Sequence, residues 1–205
     1  MKYSLMPRMM WFFYKKTFKK YLIMDLGEDP QIMKKAHLKY KEIVLSVDEF
    51  EKGDRFITNI LSCAMLSAII LNLKNKHSVE EIRKYYRDAM CNNKMTKMAT
   101  SKSKSYTIEG RKKLKAQAKM SETNSNPYSW RFEVVDGENI NKYTAIFYTC
   151  GICYLMNKLG LNEYIPAMCS LDYDMASMNN TKFERKYTLA SGGDCCDCHY
   201  DHQVK

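Results

Sequence analysis

Apolar residues recur at Ile32, Ala36, Leu38, Ile43 and Val47, and this spacing predicts a helix over Gln31–Val47 with Pro30 at its start. Phe56–Leu73 is apolar almost throughout, interrupted by Thr58, Asn59, Ser62, Ser67 and Asn72. It reads as a buried core helix capped by Asp54, because it is only about as long as the shortest membrane spans and carries these polar breaks. Upstream, Met9–Tyr14 is apolar and is followed by Lys15, Lys16, Lys19 and Lys20, as in an ordinary first helix. Ser78 stands three residues before Glu81, a capping box that opens a helix running to about Cys91. Lys94–Ser105 reads as a loop or loosely held helix, Arg111–Met120 as a helix, and Ser121–Tyr128 as a linker.

Beyond residue 128 the period changes from helical to alternating. Trp130–Val135 and Tyr143–Tyr148 are strand-like, with Asp136-Gly137 as a turn signal between them. Thr149–Leu159 reads as a helix ending at Gly160, a position suited to a left-handed cap. Tyr164–Met178 is expected to be one helix started near Pro166. Phe183–Ala190 and Cys196–Tyr200 are expected to be strands joined across Ser191-Gly192-Gly193-Asp194. The fold class is therefore α+β: a helical N-terminal half (1–120) packed on a small antiparallel sheet with helices and a C-terminal β-hairpin (128–205), the two forming one compact unit.

Charge changes this picture little. The formal net charge is +10, and Lys94–Lys119 holds nine Lys/Arg against one acid, Glu109. Aromatic interleaving and nucleic-acid motifs are lacking there, so the stretch reads as solvated surface and no nucleic-acid partner is expected. The Met1–Leu22 segment lacks a small-residue cleavage site, and a cytoplasmic location is expected. In that setting the eight cysteines, at 63, 91, 150, 153, 169, 195, 196 and 198, are buried, metal-binding or catalytic thiols and not a disulfide framework. Association into a homo-oligomer is compatible with the sequence.

Chemistry concentrates at the C-terminal end. It reads Arg185-Lys186-Tyr187-Thr188-Leu189-Ala190-Ser191-Gly192-Gly193-Asp194-Cys195-Cys196-Asp197. Upstream lie Cys150, directly after a strand, and Gly160-Leu161-Asn162-Glu163-Tyr164-Ile165-Pro166-Ala167-Met168-Cys169-Ser170-Leu171-Asp172-Tyr173. In order and spacing, residues 128–200 resemble the L-2-amino-thiazoline-4-carboxylic acid hydrolase family: a cysteine after a strand, a "GL-E" segment leading to "C-x-x-D-Y", then "R-x-x-T-L-A-x-G-G-D-x-C-D-F". Cys198 replaces the usual Phe, and Cys153, Cys195 and Cys198 are extra to the pattern. The helical first half matches in character only.

The resemblance implies hydrolysis of a small cyclic amidine. Water adds to the ring carbon between nitrogen and sulfur, and the carbon–sulfur bond opens to give N-carbamoyl-L-cysteine. It points to Cys150, Cys169, Asp172 and Cys196 as catalytic, and to Arg185, Thr188, Gly193, Asp194 and Asp197 around the substrate. A thiol at a helix start gains nucleophilicity from a lowered pKa, which favours Cys150. Cys169 and Asp172, three apart, share one helix face. Arg185 can fork onto a substrate carboxylate. Each also has a plain structural reading: packing thiols, a surface Asp, a turn Asp, a strand Arg.

No cofactor is required by this chemistry. A divalent metal at Cys150, Cys169 and Cys196 stays open as a minor alternative, whereas Cys195, Cys196, Cys198, His199 and His202 are spaced too tightly for a standard zinc site. His37 and His77 have no local partner. A different class of function also fits: a non-catalytic small-molecule or metal sensor, similar to domains of the 4-vinyl reductase type.

Overall fold

The computed structural model describes residues 1–100 and 104–203. Helices α1 (Leu5–Leu26), α2 (Ile32–Ser46), α3 (Ile57–Ile70) and α4 (Val79–Cys91) build the N-terminal half, followed by α5 (Lys94–Thr100) and α6 (Ile108–Ser121). Strands β1 (Phe132–Asp136) and β2 (Lys142–Phe147) come next, then α7 (Gly151–Lys158), α8 (Ile165–Cys169) and α9 (Leu171–Met178), and finally β3 (Thr181–Glu184) and β4 (Cys196–His202). The sheet is antiparallel throughout, in the order β1-β2-β4-β3. This is the α+β class expected.

The apolar run at 57–70 forms the central helix. Every residue of α3 from Ile60 to Ile70 is buried, so its lack of a polar stripe matches a helix covered on all sides. Its N-cap is Phe56 and not Asp54, whose carboxylate instead accepts the Phe56 N–H at 2.8 Å just ahead of the helix. The core around α3 runs continuously from Trp11 through α2 and α4 to Tyr128, Leu155 and Leu171. The 121–128 segment is tied into it. Tyr128 is buried and its hydroxyl donates to the Ser46 carbonyl at 3.2 Å.

His37 and His77 find partners far along the chain. His37 stacks on Trp11 with centroids 4.5 Å apart, and His77 Nε2 lies 3.0 Å from the buried Glu28 carboxylate. The Ser78 box is present, with the Ser78 N–H reaching Glu81 Oε2 at 2.7 Å and the Glu81 N–H returning to Ser78 Oγ at 3.3 Å. Ser78→Ala leaves that second donor orphaned. It should cost about 1 kcal/mol of stability in urea unfolding, and α4 carries Tyr86 toward the site described below.

Three elements differ from the sequence reading. The helix expected over Tyr164–Met178 is a 3₁₀ turn (Asn162–Tyr164) followed by α8 and α9, which meet at Ser170; Ser170 Oγ donates to the Ala167 carbonyl at 3.0 Å, a side-chain bond that competes with helix continuation. The strand expected over Phe183–Ala190 stops at Glu184, and residues 185–195 form a long loop instead. Helix α6 begins a turn before Arg111, because Thr107 Oγ1 caps it by accepting the Gly110 N–H at 3.1 Å. Of the Lys94–Ser105 segment, 94–100 is helical, and residues 101–103 lie outside the described residues. Gly160 has φ +70°, the left-handed cap expected after α7. No helix among the described residues is long and apolar enough to cross a membrane.

Candidate active site

The loop 185–195 is shaped by two side chains. Asp197 Oδ1 accepts the N–H groups of Lys186 at 3.0 Å and Tyr187 at 2.6 Å, replacing the strand partner those amides lack. Burial opposes the Asp197 charge, but these N–H groups and His199 outweigh it and hold the carboxyl below the usual range. Thr188 then caps a 3₁₀ turn at Leu189–Ser191 through the Ser191 N–H, and the Gly193 N–H returns to the Thr188 carbonyl at 2.9 Å. Thr188, Gly193 and Asp197 are thus joined by bonds internal to the loop, and Asp194 is exposed at its far end. Asp197→Ala should cost about 2 kcal/mol, the scale for bonds to a charged acceptor. It should also speed exchange of the Tyr187 amide, read by hydrogen-exchange NMR.

This loop delivers Arg185 into the protein. Its side chain is 6% exposed; Nη1 donates to Asp172 Oδ2 at 2.9 Å and Nη2 to the Cys169 carbonyl at 3.1 Å. The guanidinium also lies over the rings of Phe183 (5.5 Å) and Tyr173 (5.7 Å). The Cys198 thiol bears on it, which gives that departure from the family motif a definite place. Nε alone finds no hydrogen-bond partner among the described residues. Both arms of the fork expected for a substrate carboxylate are therefore engaged within the chain. Burial opposes the Arg185 charge, but Asp172 and the neighbouring thiols keep it cationic.

Asp172 is the member of this arrangement that meets a cavity. Oδ2 is fixed by Arg185, while Oδ1 takes no hydrogen bond among the described residues. Half of the side chain, 51%, is accessible, and that open surface faces the cavity. That enclosure raises its pKa, and the charge and hydrogen bond of Arg185 recover only part of the shift.

The cavity measures about 620 Å³ and lies between α1, α3, α4, α5, α9 and the inner face of the sheet. Asp172 and Arg55 are the charged groups among its described lining residues; Tyr14, Tyr86, Tyr106, Tyr143 and Tyr200 contribute phenols. Arg55 is occupied elsewhere, donating to Gln117 at 3.3 Å and lying over the Phe56 ring.

The thiols gather around the same pair. Cys150 and Cys196 act electrostatically on Cys169, and Asp172 and Arg185 act on both Cys169 and Cys196. Cys150, Cys169 and Cys196 are not among the side chains lining the cavity; Asp172 is. Cys150 is the residue before α7, as expected, and Gly151 lets the helix start there, since a Cβ at that position would sit 1.9 Å from the Tyr128 carbonyl oxygen.

The lowered pKa expected of Cys150 is not found. The Cys153 thiol and burial push it well up, and the helix amides of Ile152 and Cys153 do not offset them. Burial pushes Cys169 up to about 12 and raises Cys196, although the Leu189 N–H donates to the Cys196 sulfur at 3.2 Å. Cys169 and Asp172 lie on consecutive helices and converge through Arg185, which bonds both. On β4, Cys196 and Cys198 are buried while His199 faces outward to Thr144 and Asp197, following the strand alternation. Among the described residues no three His, Cys, Asp or Glu side chains are placed to hold a metal ion.

The phenols and methionines of the cavity were missed by reading the sequence. Tyr200 carried one signal, sharing a strand face with Cys196 and Cys198; the α1 and α5 residues carried none.

No curated protein and no solved structure matches the chain. A family model does: L-2-amino-thiazoline-4-carboxylic acid hydrolase matches residues 58–200, which extends the likeness back from the C-terminal motifs to α3 and includes every residue of the Asp172–Arg185 cluster. The chain belongs to the L-2-amino-thiazoline-4-carboxylic acid hydrolase family.

Proposed function

We propose that this chain hydrolyses a small cyclic amidine of the thiazoline type, with Asp172 moving the proton. One observation carries the reading: Asp172 reaches the cavity with one oxygen fixed by Arg185 and the other without a hydrogen bond among the described residues. Its raised pKa brings a carboxyl closer to neutral pH, where a base and its conjugate acid can both be used.

Water in the cavity gives a proton to Asp172 as its oxygen bonds to the ring carbon between nitrogen and sulfur. The hydroxyl proton of the tetrahedral intermediate passes to the ring nitrogen as the carbonyl forms, the carbon–sulfur bond breaks, and the departing sulfur takes the other proton back from the Asp172 carboxylic acid. The product is an open-chain urea bearing a thiol, and Asp172 ends as it began. Arg185 positions Asp172. Cys150, Cys169 and Cys196 are neutral at neutral pH and form the packing behind it.

The test is incubation of L-2-amino-thiazoline-4-carboxylate with the purified protein, with N-carbamoylcysteine followed by chromatography. Absence of product at high concentration of folded protein removes the substrate. Cys150→Ser distinguishes the role of the thiol. As a packing residue it should change kcat less than about tenfold, whereas loss of a covalent nucleophile costs orders of magnitude more.

A second reading, a non-catalytic small-molecule sensor, draws on the elevated thiol pKa values and the apolar cavity. Saturable ligand binding with no turnover of any cyclic amidine would favour it.

A further inference from the structure

The cavity is much larger than a five-membered ring with one carboxylate requires, and its walls have a character of their own. Seven methionines line it: Met6, Met9 and Met10 from α1, Met90 from α4, Met95 from α5, Met168 from α8 and Met175 from α9. Methionine is flexible and polarisable, and a wall made of it adapts to an apolar ligand of variable shape. At about 620 Å³ the cavity falls within the range of pockets that bury a whole drug-sized molecule.

Polar side chains such as Thr58, Asn59, Thr96, Thr100 and Thr181 are spread around its wall, but Asp172 is the acidic one among the described lining residues. Its Oδ1 takes no hydrogen bond among the described residues, and the hydroxyls of Tyr86 and Tyr200 are close enough for the Asp172 charge to act on both. All three side chains line the cavity. The guanidinium of Arg185 beside Asp172 is engaged within the chain, and the phenols can donate as well as accept hydrogen bonds. On α1 and α5 the cavity is rimmed by Met6, Met9, Phe13 and Met95, all substantially exposed.

We infer that the cavity binds an amphipathic organic molecule, with a donor-rich amidine or guanidine head at Asp172 and an aliphatic body lying along the methionines toward α1 and α5. The assignment rests on the Asp172 site of the proposed function and names the wider substrate class of that site. The ring to be opened is the head of a larger apolar molecule.

The test is isothermal titration of the full chain with ethyl-, butyl- and hexylguanidinium, and with hexanoate as the anionic control. Affinity for the guanidinium series should rise about fourfold per methylene, the increment for burying one such group, and hexanoate should not bind. Met9→Gln together with Met95→Gln, at the exposed rim, should flatten the chain-length dependence and leave ethylguanidinium unchanged. Asp172→Asn should weaken every member of the series about tenfold without changing its slope.

Equal binding of ethyl- and hexylguanidinium overturns the apolar-body assignment whether or not the protein hydrolyses a thiazoline. Equal binding of hexanoate and hexylguanidinium overturns the head-group assignment. A preserved slope in a protein that turns over no cyclic amidine upholds the cavity assignment and removes the hydrolytic reading alone.

Discussion

Asp172→Asn is expected to lower kcat/KM for ring opening by about 10²–10⁴-fold, the usual contribution of a positioned proton-transfer group, while the protein stays folded. The amide oxygen of Asn can still accept the Arg185 Nη1–H that Asp172 Oδ2 accepts at 2.9 Å, so the buried guanidinium keeps a partner. The substituted side chain can neither take up a proton nor carry the charge that holds a cationic head.

The pH profile gives an independent reading of the same group. A general base works in its deprotonated form, so activity rises with pH through its pKa and then levels. Enclosure raises the Asp172 pKa above the ordinary carboxylate value, with Arg185 pulling the other way and losing. The acid limb of kcat/KM should therefore lie above about pH 4, where an unperturbed Asp titrates. In Asp172→Asn the residual rate should show no such limb. Retention of activity within tenfold of the unmodified protein, or an acid limb that persists in the variant, would show that Asp172 is not the base.

How much of this was readable beforehand divides along physical lines. Local signals carried well. The capping box at Ser78 and the left-handed position at Gly160 each depend on a few neighbouring residues, and the structure uses both, while the reversal signalled by Asp136-Gly137 is made over residues 137–141 with Asp136 still paired in β1. Strand alternation placed Cys196 and Cys198 together on the inner face of β4. The motif spacing singled out Asp172 and Arg185, and the structure pairs them through contacts between segments.

Arg185 looks free along the chain, because its partners Asp172 and the Cys169 carbonyl come from α9 and from the end of α8. Cys150 sits where a helix start normally lowers a thiol pKa, but burial and the Cys153 thiol decide the outcome, and burial is a property of the folded whole. The end of β3 at Glu184 could not be read from Phe183–Ala190, since it follows from the Asp197 carboxylate capturing two amides that a strand would have spent on its neighbour. The methionine wall is the extreme case. Its members come from α1, α4, α5, α8 and α9, and the cavity exists only where those helices meet the sheet.

Arg185→Met is expected to destabilise the protein by about 3 kcal/mol, toward the low end for breaking a buried ion pair by removing one partner. The low end applies because Asp172 keeps access to the cavity, where solvent can screen it. The guanidinium is itself buried and bonds both Asp172 and the Cys169 carbonyl. Methionine fills much of its volume but offers neither hydrogen bond nor charge, leaving the Asp172 carboxyl in its enclosure alone. Arg185→Lys should recover part of the loss, since a point charge replaces the charge but not the planar fork that reaches two acceptors on consecutive helices.

Two further measurements separate this account from simple loss of packing. Arg185 lowers the Asp172 pKa, so any activity left in Arg185→Met should show its acid limb shifted to higher pH. The double variant Asp172→Asn with Arg185→Met should be more stable than the sum of the single changes predicts, by about 1 kcal/mol or more, because it leaves no unpaired charge behind. Additive single changes, or a cost below about 1 kcal/mol for Arg185→Met, would mean that the pair does not hold the site together, and that Asp172 owes its position to the helix packing of α8 and α9 instead.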